Sequence, residues 1–464
     1  MSTLSESSAP FPRYAPPPGQ DRAASLFKGL ARFILVAAIF AAPWALGAVD
    51  PWAWGSLTVL AFLALILWAV GCAQRGALRI AWSPMYWPFL ALLVVALGQF
   101  YFGLTLDHVA TREAVLKIVS NLVLFFLAGQ LLNSRPENGR AMRYFGLVVT
   151  GLAFAVSVLA LAQFFFAKDY HQIYWSIKVT AWPFGPYVNH NDYGGLMEML
   201  IPISAGYLLS RSDQSLSRYL LWGVVIMALI SVWVSGSRGA TAAMLIEGVV
   251  FGLVLVANPS QLARRRALPM VIAVVVIAVG LFAWMIRTKG VTSRAWSIFA
   301  SDKSLEVTFG DRLWVSKSAL RIAADHPWIG VGVGCFEMAF PMYATNPTDL
   351  HWTHAHDDYA EALAETGLAG AVILAVALVL FFHLAFRHLR ERLHHEAGWI
   401  QLGAAVGCMG LMAHSFVDFN LRIPANAAWF VVCLAMAVHP ASSRGKVRKM
   451  ERFSPAERNG GYLT

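Results

Sequence analysis

The sequence predicts an all-α polytopic membrane protein with about twelve membrane-crossing helices and one long loop on the outer side. Of 464 residues, 58% are hydrophobic and only 13% are charged, against roughly 25% charged in soluble domains. Apolar stretches of the ~17 to 25 residues needed to cross ~30 Å of hydrocarbon recur from one end of the chain to the other. Mean hydropathy is +0.58.

The spans fall at about 30–47, 53–72, 84–103, 113–132, 143–166, 194–210, 218–234, 239–257, 269–286, 361–386, 398–417 and 424–440. Residues 1–26, rich in Pro, Ser and Ala, lack the apolar core of a cleavable signal and read as a disordered cytoplasmic tail. The domain proper then runs over 27–440, with the long loop at about 287–360, and 441–464 forms a basic cytoplasmic tail.

Orientation follows from the basic residues, because short loops carrying Lys and Arg stay in the cytoplasm. On the side of the N-terminus lie Arg13, Arg22, Lys28, Arg32, Arg75, Arg79, Arg135, Arg140, Arg143, Arg211, Arg218, the run Arg264 to Arg266, Arg387, Arg390, Arg392 and six tail cations, which are 23 of the 36 Lys and Arg. Both termini are therefore expected inside. The formal charge of +10 is a topology signal and excludes a nucleic-acid reading. The scattered Cys72, Cys335, Cys408 and Cys433 predict no disulfide framework.

Polar residues that are neither anchors nor turn formers collect in four outer segments: "WPFGPYVNHNDYGGLMEM" (182–199), "SGSRGA" (235–240), the long loop, and "HSFVDFNLRIPAN" (414–426). Their convergence on one face predicts a single site at the outer membrane surface. In the first, Asn189, His190, Asn191 and Asp192 suit a helix start. Glu198 lies a turn into the span, where an ionisable group is a functional candidate. Arg238 stands among small residues at an outer helix end. A guanidinium there forks onto phosphate oxygens, or it is a snorkelling interface residue.

Inside the loop, "FGDRLWVSKSALRIAADHPWIG" has helical spacing, with Leu313, Leu320 and Ala323 or Ala324 on one face and Arg312, Lys317 and Arg321 at recurring intervals; it predicts an amphipathic helix at the membrane surface. The glycines of "GVGVGCF" read as a flexible turn, not a nucleotide fingerprint. In "HWTHAHDDYAEALAETGLAG", His351, His354 and Asp358 would share a helix face, a spacing that lacks the second ligand set a zinc site needs. A neutral imidazole here suits proton removal from a hydroxyl, and plain capping is the other reading. Glu361 with Glu365, and His414 with Asp418, fall four apart and would pair on helix faces, orienting a catalytic group or bridging helices.

"GPYVNHNDYGGLMEM", "SGSRGA", "GVGVGCFEMAFPMY" followed by "HAHDDYAEALAETGLAG", and "HSFVDFNLRIPANA" together resemble the O-antigen ligase superfamily of bacterial inner-membrane glycosyltransferases, which includes polymerases and protein O-oligosaccharyltransferases. The resemblance covers about residues 180–430. It implies a GT-C-like fold and a glycan donor on undecaprenyl diphosphate. It also implies an acceptor hydroxyl at the periplasmic face, with membrane lipids as surroundings and no cofactor or required metal. By motif, Arg238 looks like the arginine on the donor diphosphate, His356 like the catalytic histidine, and Arg312 like a further loop arginine. Asp357 stands where the family often has Asn.

The chemistry agrees with that assignment, since the leaving diphosphate needs cations and the acceptor needs a base. The expected site is His356 and Arg238 as catalytic residues, with Arg312, Arg321, Asn189, His354, Asp358 and Glu365 binding or orienting substrate. A ligase acting on lipid A-core comes first and an O-antigen or exopolysaccharide polymerase second. The short basic tail disfavours a protein transferase. A polytopic transporter is the rival from another class, but a site near mid-membrane built from repeated halves, typical of transporters, is not legible here.

Overall fold

The computed structural model describes residues 18–78, 80–132, 139–166, 183–211, 216–257, 276, 279–280, 309–345, 351–393, 396–439 and 448–449. The helices are α1 (Pro18–Trp44), α2 (Pro51–Arg75), α3 (Tyr86–Tyr101), α4 (His108–Leu131), α5 (Gly139–Phe166), α6 (His190–Ser210), α7 (Leu216–Ser235), α8 (Arg238–Ala257), α9 (Phe309–Asp325), α10 (Asp358–Leu393), α11 (Glu396–His414) and α12 (Pro424–Val438). The protein is thus all-α and polytopic. Seven of these helices, α1, α2, α4, α5, α7, α8 and α10, are long and apolar enough to cross a membrane, and α3 and α12 are shorter apolar helices. The expected span at about 269–286 lies almost wholly outside the described residues.

Helix α1 begins at Pro18, inside the segment expected to be a disordered tail; proline suits a first helical turn because its missing N–H would find no partner there. In the basic tail, Arg448 and Lys449 pair antiparallel with Leu78 and Ala77, a two-residue ribbon beside the end of α2.

Helices α6 and α11 form the centre of the bundle, and small residues let their backbones touch. A Cβ on Gly403 would overlap the Pro202 carbonyl, and one on Gly206 the Trp399 carbonyl. Such close approach raises dispersion contact where lipid leaves no hydrophobic drive between helices. Helix α12 is almost wholly buried, with Trp429 buried and its Nε1 donating to the Ile39 carbonyl of α1 at 2.8 Å.

The segment that begins at α9 builds its own small core. Val315, Ala319 and Ile322 of α9 pack on Cys335, Phe336, Phe340, Trp352 and Ala355. This corrects the expected apolar face: Leu313, Leu320 and Ala324 point outward, and of that set only Ala323 is buried. Two apolar stripes coexist on α9, and the β-branched one, rather than the leucine one, meets the core.

The glycines at 330, 332 and 334 form a locked strap, not a flexible turn. All have positive φ, and a Cβ on Gly330 would overlap the Glu365 backbone. The strap is tied to α3 through Gln99, whose amide donates to the carbonyls of Ile329 (2.6 Å) and Glu365 (2.8 Å) and accepts from Val333 N–H (3.0 Å). Helix α10 breaks at Gly367 (φ 58°), which lies against Trp328 and Ile329. Its first two turns therefore belong to the site.

Candidate functional site

Residues 351–357 are not helical, so His351, His354 and Asp358 do not share a helix face. The helix starts at Asp358 because Asp357 caps it: Asp357 Oδ1 accepts from Tyr359 and Ala360 N–H, both at 3.0 Å. Its other oxygen accepts from Ser316 of α9 at 3.1 Å, which gives Asp357 a structural role. His351 turns away onto Glu337, an exposed pair at 2.6 Å. Among the described residues, no group of three or more His, Cys, Asp or Glu is arranged to hold a metal ion.

His356 is held in the left-handed region, φ 53°, which a non-glycine residue adopts at a cost. Its ring stands edge-on to Phe419 (centroids 4.7 Å) and Trp352 (5.6 Å). The buried Asp418 faces it, with Oδ1 3.6 Å from His356 Nδ1. Asp418 Oδ2 lies 3.2 Å from Arg312 Nη1, and Arg312 also donates to the Val417 carbonyl at 3.3 Å. One carboxylate thus ties the two loop residues together. Burial alone would raise the Asp418 carboxyl; the contact with His356, and next the Arg312 charge, overrule it and hold the group well below the usual carboxylate range.

Arg422, on the turn Asn420–Arg422 between α11 and α12, anchors three carboxylates of α10: Glu365 at 2.7 Å, Glu361 at 3.3 Å and Asp358 at 3.8 Å. Burial works against its charge, and Glu361, Glu365 and Asp358 more than offset it, raising its pKa further above the ordinary arginine value. Each carboxylate also holds a different backbone segment. Glu365 Oε1 accepts from Gly334 (2.9 Å) and Phe336 (3.4 Å), and Glu361 Oε2 from Ala355 (2.7 Å). Asp358 Oδ2 accepts from Leu421 N–H (3.1 Å) and the Ser415 hydroxyl (2.8 Å). The i, i+4 glutamates therefore bridge segments. His354 completes this row, with Nδ1 2.9 Å from Glu361 and its ring stacked on Phe419.

His414 and Asp418 do not share a helix face, because α11 ends at His414. His414 Nδ1 instead meets Glu198 Oε1 at 2.7 Å, Asn420 accepts from Asn426 Nδ2 (3.2 Å), and Asn426 Oδ1 accepts from the Tyr187 hydroxyl (2.7 Å). Gly239, next to Arg238, packs against His414 and Val417. That neighbour puts exposed Arg238 at the same corner as Arg312 and Asp418. Gly194 of the first segment lies on Ala240 of the second, so all four polar segments meet around residues 414–426.

Two expected site residues have other duties. Asn189 is the cap of α6, its side chain accepting from Asn191 N–H at 3.0 Å. Arg321 is exposed and stands nine residues from Arg312, half a turn out of phase, so it faces away. Residues that sequence reading did not single out for the site are Asp418, as the link between His356 and Arg312, and Arg422. Beyond the spacing of Asp418 from His414, their sequence signal is "DFNLR" on a turn opposite paired glutamates.

Residues 222–375 match the profile of the family described as O-antigen ligase. No curated protein matches the chain. The matched segment holds Arg238, α9, the glycine strap and the His356 loop, and it supports the O-antigen ligase superfamily and a ligase- or polymerase-type glycosyltransferase of membranes.

Proposed function

We propose that the protein transfers a glycan from undecaprenyl diphosphate to an acceptor hydroxyl at the periplasmic face of the inner membrane, with lipid A-core as the acceptor. The observation that carries the reading is Asp418, whose two oxygens face His356 and Arg312. With Nδ1 turned to this carboxylate, His356 keeps its other nitrogen for the acceptor, the neutral tautomer a general base requires. His356 takes the acceptor proton, the acceptor oxygen bonds to the anomeric carbon, and the bond from that carbon to the phosphate oxygen breaks with its electron pair leaving on the diphosphate. Arg312 and Arg238 stabilise that charge. His354, Asp358 and Glu365 position the loop and do not contact substrate. The distribution of basic residues supports both termini in the cytoplasm and the twelve-span topology.

The test is transfer by the purified protein from an undecaprenyl-diphosphate glycan, with lipid A-core and a second donor molecule offered as alternative acceptors. Product on lipid A-core makes the protein a ligase. Lengthening of the donor chain makes it a polymerase, and no product with either acceptor removes the reading.

A further inference from the structure

The residues expected to hold the sugar are occupied: Asn189 caps α6, and Asp358 and Glu365 are engaged by Arg422 and by backbone N–H groups. Asn191 and Asp192, two and three residues further along α6, are not. Asn191 and Asp192 are each 4% exposed, yet Asn191 Nδ2 and Asp192 Oδ1 have no hydrogen-bond partner among the described residues. Buried side-chain polar atoms in native proteins are nearly always paired, so two adjacent exceptions need an explanation.

Their position supplies it. Asp192 lies against the 414–426 segment that carries Asp418, and Gly194 two residues on lies against Ala240 of the Arg238 segment. The Asp192 carbonyl accepts from Asn426 Nδ2 at 2.9 Å, and Gly195, one turn after Asn191, lies against Asn420 and Asn426. The first turn of α6 is thus clamped to the segment that carries Asp418, with an unpaired amide donor and an unpaired carboxyl oxygen on successive residues. That pair suits neighbouring ring substituents of a sugar, one accepting and one donating. It does not suit the diphosphate, which a carboxyl would repel and which Arg312 serves.

We propose that Asn191 and Asp192 form the subsite for the sugar joined directly to the donor diphosphate. This rests on the donor proposed above. The subsite reads the sugar and leaves the diphosphate to the arginines, so the two halves of the donor are separable in binding.

The experiment uses full-length protein in lipid nanodiscs, comparing wild type with Asn191→Ala and Asp192→Asn. KM for the undecaprenyl-diphosphate glycan is measured beside the inhibition constant of sugar-free undecaprenyl diphosphate. The expected result is a KM raised roughly tenfold in each variant, the size of one lost hydrogen bond to substrate, with the inhibition constant unchanged. Thermal stability is expected to hold or rise, because a buried unpaired polar group is removed or altered without loss of any partner. An unchanged KM, or a parallel rise in both constants, overturns the subsite. So does a clear loss of thermal stability, which would make the pair structural. Failure of the sugar-free lipid to compete in wild type would instead overturn the donor reading beneath it.

Discussion

Arg422 lies 2.7 Å from Glu365 Oε2, and the other oxygen of that carboxylate accepts from the Gly334 N–H. The arginine therefore acts on the glycine strap through the glutamate, and on the His356 loop through Glu361 and Ala355. Arg422→Gln leaves buried carboxylates without their cation and is expected to cost about 3 to 5 kcal/mol. Arg422→Lys keeps the charge but not the fork, and falls between the two. Thermal unfolding in detergent reads both.

His356 carries a conflict between stability and function. At φ 53° a histidine is strained, and asparagine is at ease there. His356→Asn relieves that strain but gives up the contact with Asp418, so stability is expected to change by no more than about 1 kcal/mol, while transfer falls by roughly 10²- to 10⁴-fold with the base gone. A paired measurement of melting temperature and initial rate checks that the two effects separate.

Asp418 makes stability depend on pH in one direction. Its folded pKa is depressed, so its contribution is present above the unfolded value of about 3.9 and is lost as pH falls through the folded one. Melting temperature is expected to fall on acidification below about pH 4, and Asp418→Asn to flatten that part of the profile. A variant whose acid slope matches wild type would show that other carboxylates govern it.

Gly330→Ala puts a Cβ into the Glu365 backbone at φ 69°. Strain and overlap together are expected to cost about 1 to 3 kcal/mol, and protease nicking within 326–345 would report the loosened strap. Protection equal to wild type would contradict the locked arrangement.

The apolar helices and the convergence of the four polar segments were legible because hydropathy and small-residue punctuation are local signals, although only seven of the twelve expected spans are long and apolar enough to cross a membrane among the described residues. Asn189 as a cap was equally local. The α9 face was misread because both of its stripes are apolar, and only contact with Phe336 and Trp352 selects the one with Val315 and Ile322. The helix expected through His351 and His354 fails because the Asp357 cap starts it later. Arg422 was not singled out, and Asp418 was paired with His414 rather than with Arg312, because their partners lie far away in sequence, Arg312 being 106 residues from Asp418. Pairings over such distances leave no periodicity.

The central claim is that transfer occurs where His356 and Arg312 share Asp418. Its most direct test is the initial rate of glycan transfer from undecaprenyl diphosphate by His356→Ala and Arg312→Ala, each shown to be folded by its melting temperature. The account predicts losses of at least about 10²-fold in both. Transfer at the wild-type rate in either folded variant would contradict it.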